Sequence, residues 1–298
     1  MHHHNHSSSQ QRIAWAFGLN VSFTLIEFVG GWLTNSTAIM ADAIHDLGDS
    51  LSIGMAWILG RISNKPETDI FTYGYRRFSM LGALINGFVI VIGSVWILIE
   101  AISRLHNPQM PVVEGMLGLA VLGVAVNGFA AFKLSHGKTQ NEKVLNWHLL
   151  EDILGWVAIF LVASVLMFVD WPILDPLLSI IFTLFVSFNV VKNLKESVSL
   201  FLQGAPDETL LKTIRQQLCA LPGVFSIHHL HLWSLDGEHH VLTAHLVIGD
   251  GVTIAEQIKL KKAVSLVLEE YLLAHTTIEL EFIGENCRDD VLVITSNL

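Results

Sequence analysis

Six long apolar runs constrain this chain more than any other feature of its sequence. A helix needs about 20 apolar residues to cross the hydrocarbon core of a bilayer. Charged residues make up only 15% of the chain, against roughly 25% in soluble domains. We therefore predict an α-helical membrane protein with six transmembrane helices, at Ile13–Leu33, Ala38–Gly60, Met80–Ile102, Val112–Leu134, Val144–Val169 and Ile173–Val191.

Positive charge predicts how these helices are oriented. With the N-terminus inside, the segments on the inner side carry ten of the 11 Lys and Arg residues before residue 204, and the outer side carries only Arg104. This bias places both termini in the cytosol. We divide the chain into a His-rich cytosolic leader (1–12), a transmembrane domain (13–203), a cytosolic domain (204–285) and a tail (286–298). The His-rich leader is either a native metal-collecting arm or part of an expression tag.

Ionisable residues recur inside the second and fifth predicted helices. The second contains His45 and Asp49, and the fifth contains His148 and Asp152, each pair spaced by one helical turn. Two imidazole nitrogens and two carboxylate oxygens suit a tetrahedral zinc ion, although imidazole also suits cobalt, nickel and copper. Two alternatives remain open at this point. These groups can hydrogen-bond between helices without metal, or they can form a proton relay.

Other polar residues also fall within the predicted membrane segments. Asp42 and Asp46 share the helical stripe of His45, and burying such carboxylates against lipid costs about 2.5–3.5 kcal/mol each. They must therefore face protein, water or a cation. Asn86 and Asn127 are interpreted as packing residues, whereas Glu27 in the first helix remains unassigned between a pathway and a packing role.

At this point the sequence resembles the cation diffusion facilitator family, in its zinc-transporting branch. The resemblance rests on HxxxD in the second and fifth helices, on GGWLTNSTAIMADAIHDLGDS at 30–50, on Asp175-Pro176, on QGAP at 203–206 and on HLHLWSL at 229–235. It implies that the transport site consists of His45, Asp49, His148 and Asp152. It also implies a homodimer in the lipid bilayer that exchanges metal for protons by alternating access. The resemblance further implies that His45 favours zinc over cadmium or manganese, since relatives with Asp at this position tend to be less selective.

Some relatives in this family hold a second metal ion in the loop between the second and third helices. The corresponding stretch here keeps Asp69 but has Phe71 and Tyr75 where histidine would be expected. We predict that this loop site is absent.

The segment after residue 204 has the pattern of a small α+β domain. Periodicity predicts the order αββαβ, with helices at Glu208–Leu221 and Ile254–Leu272 and strands at Val224–Trp233, His240–Val247 and Thr276–Phe282. The family resemblance implies a metallochaperone-like fold that contributes to the dimer.

Histidines are frequent in this domain. Strand alternation predicts His229 and His231 on one face of the sheet and His228 on the other. The resemblance implies a regulatory zinc site made of His228, His245, His275 and Glu281. The alternative is that these histidines bind no metal. Because Cys287 is the only cysteine near the C-terminus, a Cys-based binuclear site would need a ligand from elsewhere.

The sequence therefore predicts a transporter that exports Zn²⁺ from the cytosol in exchange for H⁺, located in a bacterial plasma membrane. The alternative is a membrane-embedded sensor that binds zinc without moving it. An enzyme is disfavoured because a catalytic zinc keeps an open coordination position, whereas four protein ligands are predicted here. The sequence contains no phosphate-binding loop of the kind that nucleotide-driven transport needs, and we predict no nucleic-acid partner.

Overall fold

The computed structural model describes residues 4–135 and 140–289, with side chains given within 17–133, at 146 and within 148–289. It divides into two compact units, one formed by Met1–Ile58 with Gly82–Lys195 and the other by Leu59–Leu81 with Glu196–Leu298. The leader's side chains and residues 290–298 of the tail lie outside what is described.

Six long α-helices occupy the positions predicted from the apolar runs, which confirms the predicted fold class. Four of the helices, α3 to α6, are long and apolar enough over their described parts to cross a membrane. α6 continues beyond the predicted end at Val191, into a segment where Lys192 and Lys195 had suggested a boundary. The bounds are α1 His4–Thr34, α2 Thr37–Ser63, α3 Phe78–His106, α4 Val113–Ser135, α5 Gln140–Leu166 and α6 Leu174–Phe201.

The start of α2 is held by a carboxylate from α6. Asp175 is 1% exposed. Its Oδ2 accepts hydrogen bonds from the backbone N–H of Thr37 (2.7 Å) and from the Thr37 hydroxyl (2.8 Å). Its Oδ1 accepts from the Ser36 hydroxyl (2.5 Å) and the backbone N–H of Ala38 (3.3 Å). The first N–H groups of a helix lack partners within the helix, so Asp175 caps α2 from a different helix.

α4 and α5 approach each other closely around a buried tryptophan. Trp156 of α5 is fully buried, and a Cβ built on Gly123 of α4 would lie 2.2 Å from its ring. Phe23 of α1 packs on the same indole, with ring centroids 5.5 Å apart. Only glycine at position 123 leaves room for this contact. The arrangement fixes the helix that carries His148 and Asp152.

The C-terminal domain has the predicted αββαβ order. It contains α7 (Glu208–Cys219), β1 (Val224–Ser234), β2 (His240–Ile248), α8 (Ile254–Leu268) and β3 (Leu273–Phe282). The sheet order is β1-β2-β3, with β1 antiparallel and β3 parallel to β2. Leu242, Leu246 and Ile248 of β2 are fully buried and pack with residues of both helices. The central position of β2 brings His245 between residues of β1 and β3.

Candidate metal centres

α2 and α5 bring the predicted membrane ligands close to one another, and one ligand atom from each of His45, Asp49 and His148 can be chosen so that all three lie within 4.8 Å. The Nε2 atom of His148 lies 2.9 Å from Oδ2 of Asp49 and 3.7 Å from Oδ2 of Asp152. The Nε2 atom of His45 lies 3.6 Å from Oδ2 of Asp49 and 4.0 Å from Oδ1 of Asp152. Each distance joins a nitrogen donor to an oxygen donor. The i, i+4 spacing on both helices makes this convergence possible, because it places His and Asp on one face of each helix.

The positions of His45, Asp49 and His148 suit one small metal ion, and Asp152 lies beside them. Four ligands about 2.0 Å from zinc in a tetrahedron lie about 3.3 Å from one another, and the observed distances fall on either side of that value. His148 Nε2, Asp49 Oδ2 and both oxygens of Asp152 are buried, and none has a hydrogen-bond partner of suitable geometry. Imidazole nitrogens and carboxylate oxygens this close together form a donor set that a cation would satisfy. The role of these residues as metal ligands stays a prediction.

The side chains of the membrane site differ in their exposure to solvent. The Asp152 side chain is 1% exposed, whereas His45, Asp49 and His148 are between 21% and 28% exposed. Along α2, the side chains from Thr37 to Ala43 are almost all buried, and from Leu51 onward the residues become half-buried or exposed. The densely buried stretch of α2 therefore lies on the Thr37 side of the site, and the less buried stretch lies on the Ser63 side.

The remaining acidic residues of α2 are more deeply buried than His45 and Asp49. Asp42 and Asp46 are 2% and 0% exposed. Asp46 lies close enough to Glu27 of α1, which is itself fully buried, for their charges to interact. Helical periodicity placed all four α2 residues on one broad stripe, but it does not tell which neighbouring helix each side chain meets. In the structure His45 and Asp49 approach His148 and Asp152 of α5, Asp42 lies against Gly155 further along α5, and Asp46 lies near Glu27 of α1.

A second cluster of metal-ligand type lies in the C-terminal domain. Glu281 of β3 places Oε1 2.7 Å from Nδ1 of His245 and Oε2 2.9 Å from Nε2 of His228. The Sγ atom of Cys287 lies 3.4 Å from Nδ1 of His245. One ligand atom from each of these four residues can be chosen so that all lie within 4.8 Å of one another. Two imidazoles, a carboxylate and a thiol fit zinc, which accepts nitrogen, oxygen and sulfur ligands.

The surroundings of Glu281 keep it ionised. Burial acts against its charge, but hydrogen bonds with Cys287 and His245 and the positive potential of His228 and His245 outweigh burial and lower the pKa of Glu281. A metal ligand must be deprotonated to bind. The cluster therefore holds its carboxylate in the form that binds metal.

His275 does not join this cluster. It lies on β3 six residues before Glu281, and at about 3.3 Å per residue the two are about 20 Å apart along the strand. Its Nε2 instead lies 3.6 Å from Oε1 of Glu67, and its ring contacts Tyr73 at a centroid distance of 4.9 Å. Cys287 stands in the cluster in its place. The turn after β3 brings Cys287 back to the sheet, a long-range contact that no local pattern predicts.

A β-bulge changes the predicted alternation of the β1 histidines. His229 has a φ of 48°, and the pairing of β1 with β2 shifts register between His228 and His231. A bulge adds one residue to a strand and re-aims the side chains around it. The ring of His229 consequently lies 5.1 Å from those of both His228 and His245, instead of facing away from them.

The loop between α2 and α3 contains an aromatic cluster. The rings of Phe71 and Tyr75 lie 4.6 Å apart, and both contact Phe78. The predicted absence of a metal site in this loop remains a prediction.

Two family models match the sequence over nearly its whole length. The model of the cation efflux transmembrane domain matches residues 13–202. The model of the cation efflux protein cytoplasmic domain, named for a zinc-transporter dimer, matches residues 206–282.

Curated relatives align with the chain from end to end. The zinc transporter ZitB of Shigella flexneri is 33% identical, covering 94% of this chain and 92% of the relative. The cadmium, cobalt and zinc/H⁺-K⁺ antiporter of Bacillus subtilis strain 168 is 32% identical, covering 98% and 95%. The metal cation efflux system protein CzcD of Cupriavidus metallidurans is 31% identical, covering 94% and 89%.

Proposed function

The chain belongs to the cation efflux family, also called the cation diffusion facilitator family, and on this premise we propose that it exports Zn²⁺ in exchange for protons. The observation that carries the proposal is the approach of His45, Asp49 and His148 between α2 and α5, with ligand atoms within 4.8 Å of one another and Asp152 3.7 Å from Nε2 of His148. The relatives named as zinc transporters and antiporters support it. Zinc is the cargo of this site and H⁺ the counter-ion.

Proton exchange follows from the chemistry of the ligands. Zinc and protons compete for the same imidazole nitrogens and carboxylate oxygens, because a ligand must lose its proton to bind metal. Histidine changes charge near neutral pH, so His45 and His148 are suited to release protons when zinc binds and to recover them when it leaves. Zinc also neutralises Asp49 and Asp152, which lowers the cost of moving them within the membrane.

The topology extends this proposal. The excess of Lys and Arg on one side places both termini and the C-terminal domain in the cytosol. The more exposed side of the site then faces the cytosol, from which zinc is taken. We place the protein in a bacterial plasma membrane as a homodimer, an assembly that the match to the dimerising cytoplasmic domain supports. The domain boundary is proposed at residues 203–204, between the stretches that the two family models match.

The cluster of the C-terminal domain is proposed to be a regulatory zinc site. Its ligands are His228, His245, Glu281 and Cys287, so the set implied by the sequence is revised by exchanging His275 for Cys287. Zinc bound there would join β1, β2 and the turn after β3, and its occupancy would report the cytosolic zinc concentration to the domain.

The test is zinc uptake into proteoliposomes with an imposed pH gradient. Asp49→Ala is compared with wild type and with Glu151→Gln, which changes an exposed carboxylate one residue from Asp152. We expect proton-coupled uptake in wild type and in Glu151→Gln, and its loss in Asp49→Ala.

The same assay separates transport from sensing. A wild-type protein that binds zinc without accumulating it in the vesicles would favour the sensor, and the cluster around Glu281 would become the functional site. Undiminished uptake by Asp49→Ala would refute the assignment of the membrane site.

A further inference from the structure

A small cavity is lined by His45 together with residues of α3 and α6, two helices that supply no ligand to the proposed zinc site. About 10 Å³ of this cavity is open to the centre of a water molecule, which is room for about one water. Its wall is apolar apart from the side chains of His45, Ser94 and Thr183. Ser94 and Thr183 are each 4% exposed. The cavity therefore brings two buried hydroxyl groups to the side of a proposed zinc ligand.

The hydroxyl group of Thr183 shows that this cavity has a polar occupant. Oγ1 of Thr183 is buried, and among the described residues it has no hydrogen-bond partner. A threonine inside a helix can donate to the carbonyl oxygen four residues earlier, and Thr24 and Thr34 of α1 do so. Thr183 does not form that bond. Because nearly all buried polar groups in proteins are hydrogen-bonded, often to ordered water, we expect a water molecule in the cavity to be its partner.

His45 has a second ring nitrogen that can bind such a water. Its Nε2 faces Asp49 and Asp152, at 3.6 Å and 4.0 Å, and is the nitrogen placed to bind zinc. A histidine that binds metal almost always donates from its other ring nitrogen to a carboxylate, a carbonyl or a water. Phe182, the residue before Thr183 on α6, packs on the His45 ring with centroids 5.7 Å apart. α6 therefore already restrains the ring that a water beside Thr183 would contact.

We propose that Thr183 is a positioning residue for zinc transport, which orients His45 through one water molecule in this cavity. The water accepts a hydrogen bond from Nδ1–H of His45 and donates to the hydroxyl oxygens of Thr183 and Ser94. Three partners are the usual number for a buried water. The inference rests on the proposed function and adds α6 to the helices that shape the zinc site.

The hydrogen bond prepares His45 for zinc before the ion binds. A proton held on Nδ1 leaves the lone pair of Nε2 free for the metal, because the bond made by one ring nitrogen decides the state of the other. Without this bond, the proton can move to Nε2 and the ring can turn. Loss of such an outer partner typically costs 10–100-fold in metal affinity. We therefore expect Thr183 to affect the zinc concentration that half-saturates transport and to leave the maximal rate unchanged.

The test measures both quantities for zinc uptake into proteoliposomes at fixed pH. Thr183→Val keeps the shape of the side chain and removes its hydroxyl group, so the half-saturating zinc concentration should rise about tenfold or more. Thr183→Ser keeps the hydroxyl group and should retain the wild-type value. Ser187→Ala is the matched control, because it removes another buried hydroxyl group without a partner among the described residues of α6, at a position that does not line the cavity. It should also retain the wild-type value.

Thermal unfolding in the presence of a chelator shows whether the variants are folded, and Thr183→Ala replaces Thr183→Val if the latter is not. A wild-type half-saturating concentration in the folded variant refutes the positioning role and leaves zinc transport intact. An equal rise in Thr183→Ser or in Ser187→Ala also refutes it, because the effect would then not depend on the hydroxyl group in the cavity. A fall in the maximal rate alone refutes it as well.

An absence of zinc uptake by wild type refutes the proposed function itself. The positioning role is then tested by zinc affinity in detergent, measured by competition with a chromophoric chelator in proteins that also carry Cys287→Ser to weaken the C-terminal cluster. Thr183→Val should lower that affinity about tenfold or more, and Thr183→Ser should not. An unchanged affinity in Thr183→Val refutes the positioning role.

Discussion

Replacing Asp175 by asparagine should destabilise the membrane domain by a predictable amount. The carboxylate accepts four hydrogen bonds at the start of α2, two at each oxygen. Asparagine keeps one oxygen, and its NH₂ group then faces two donors. The Thr37 hydroxyl can rotate to accept from that group, but one backbone N–H remains without a partner. A buried unpaired donor costs about 1–3 kcal/mol, and the lost negative charge at a helix N-terminus costs about 0.3–1 kcal/mol more.

The expected loss is therefore about 1.3–4 kcal/mol in the free energy of unfolding, the greater part from the orphaned N–H. For a chain of this size each kcal/mol lowers the melting temperature by about 2–4 °C, which gives a decrease of about 3–16 °C. The measurement is thermal unfolding of the purified full-length protein in detergent. A chelator is included so that bound metal does not mask the effect.

Asp170→Asn provides the matched control. It makes the same chemical change at an exposed position five residues earlier, and should leave the melting temperature within about 1–2 °C of wild type because exposed substitutions have small effects. If Asp175→Asn melts at the wild-type temperature, the carboxylate does not cap α2 and the reasoning is wrong.

Three further predictions follow from packing, ligand choice and charge. Gly123→Ala should destabilise the protein by about 1–3 kcal/mol, because the added methyl group would overlap the ring of Trp156. Gly118→Ala on the same helix meets open space and should not destabilise the protein. Thermal unfolding of the two variants compares these effects. Cys287→Ser should weaken zinc binding to the C-terminal cluster at least tenfold, whereas His275→Ala should leave zinc binding unchanged. Competition with a chromophoric chelator measures both affinities. Equal effects of the two substitutions would reject the revised ligand set. The pKa of Glu281 is lowered in the folded protein. Its contribution to stability is therefore complete above its ordinary pKa of about 4.3 and is lost as pH falls towards the lowered value. Hydrogen exchange of β2 in the full-length protein, corrected for intrinsic rates, should accelerate over that pH range, and should accelerate less in Glu281→Gln.

The sequence predicted those features that depend on local period and spacing. Runs of apolar residues are sufficient to locate membrane helices. Likewise, i, i+4 spacing is sufficient to place His148 and Asp152 on one helical face. The order of strands and helices in the C-terminal domain follows from the same kind of local pattern.

Features that depend on contacts between distant residues were not predictable in this way. Asp175 caps a helix that begins 138 residues earlier in the chain, so its role cannot be seen in its own neighbourhood. The same limit applies to Cys287, which enters the metal cluster 42 residues after His245. A regular strand was assumed where β1 has a bulge at His229, because the bulge depends on the pairing of two strands.

The contact of Trp156 with Gly123 has a consequence for how the membrane domain can switch access. A ring seated where a neighbouring helix has no side chain prevents α5 from sliding along α4 by even one residue. His148 and Asp152 are carried on α5 and should remain a stationary frame. α2 is attached on several sides: Asp175 ties its start to α6, Ile90 of α3 packs directly on Gly48, and Ala38 and Ile39 share a buried cluster with Trp156. We therefore expect any separation of the two halves of the zinc site to pivot at this shared cluster, with α5 as the fixed reference.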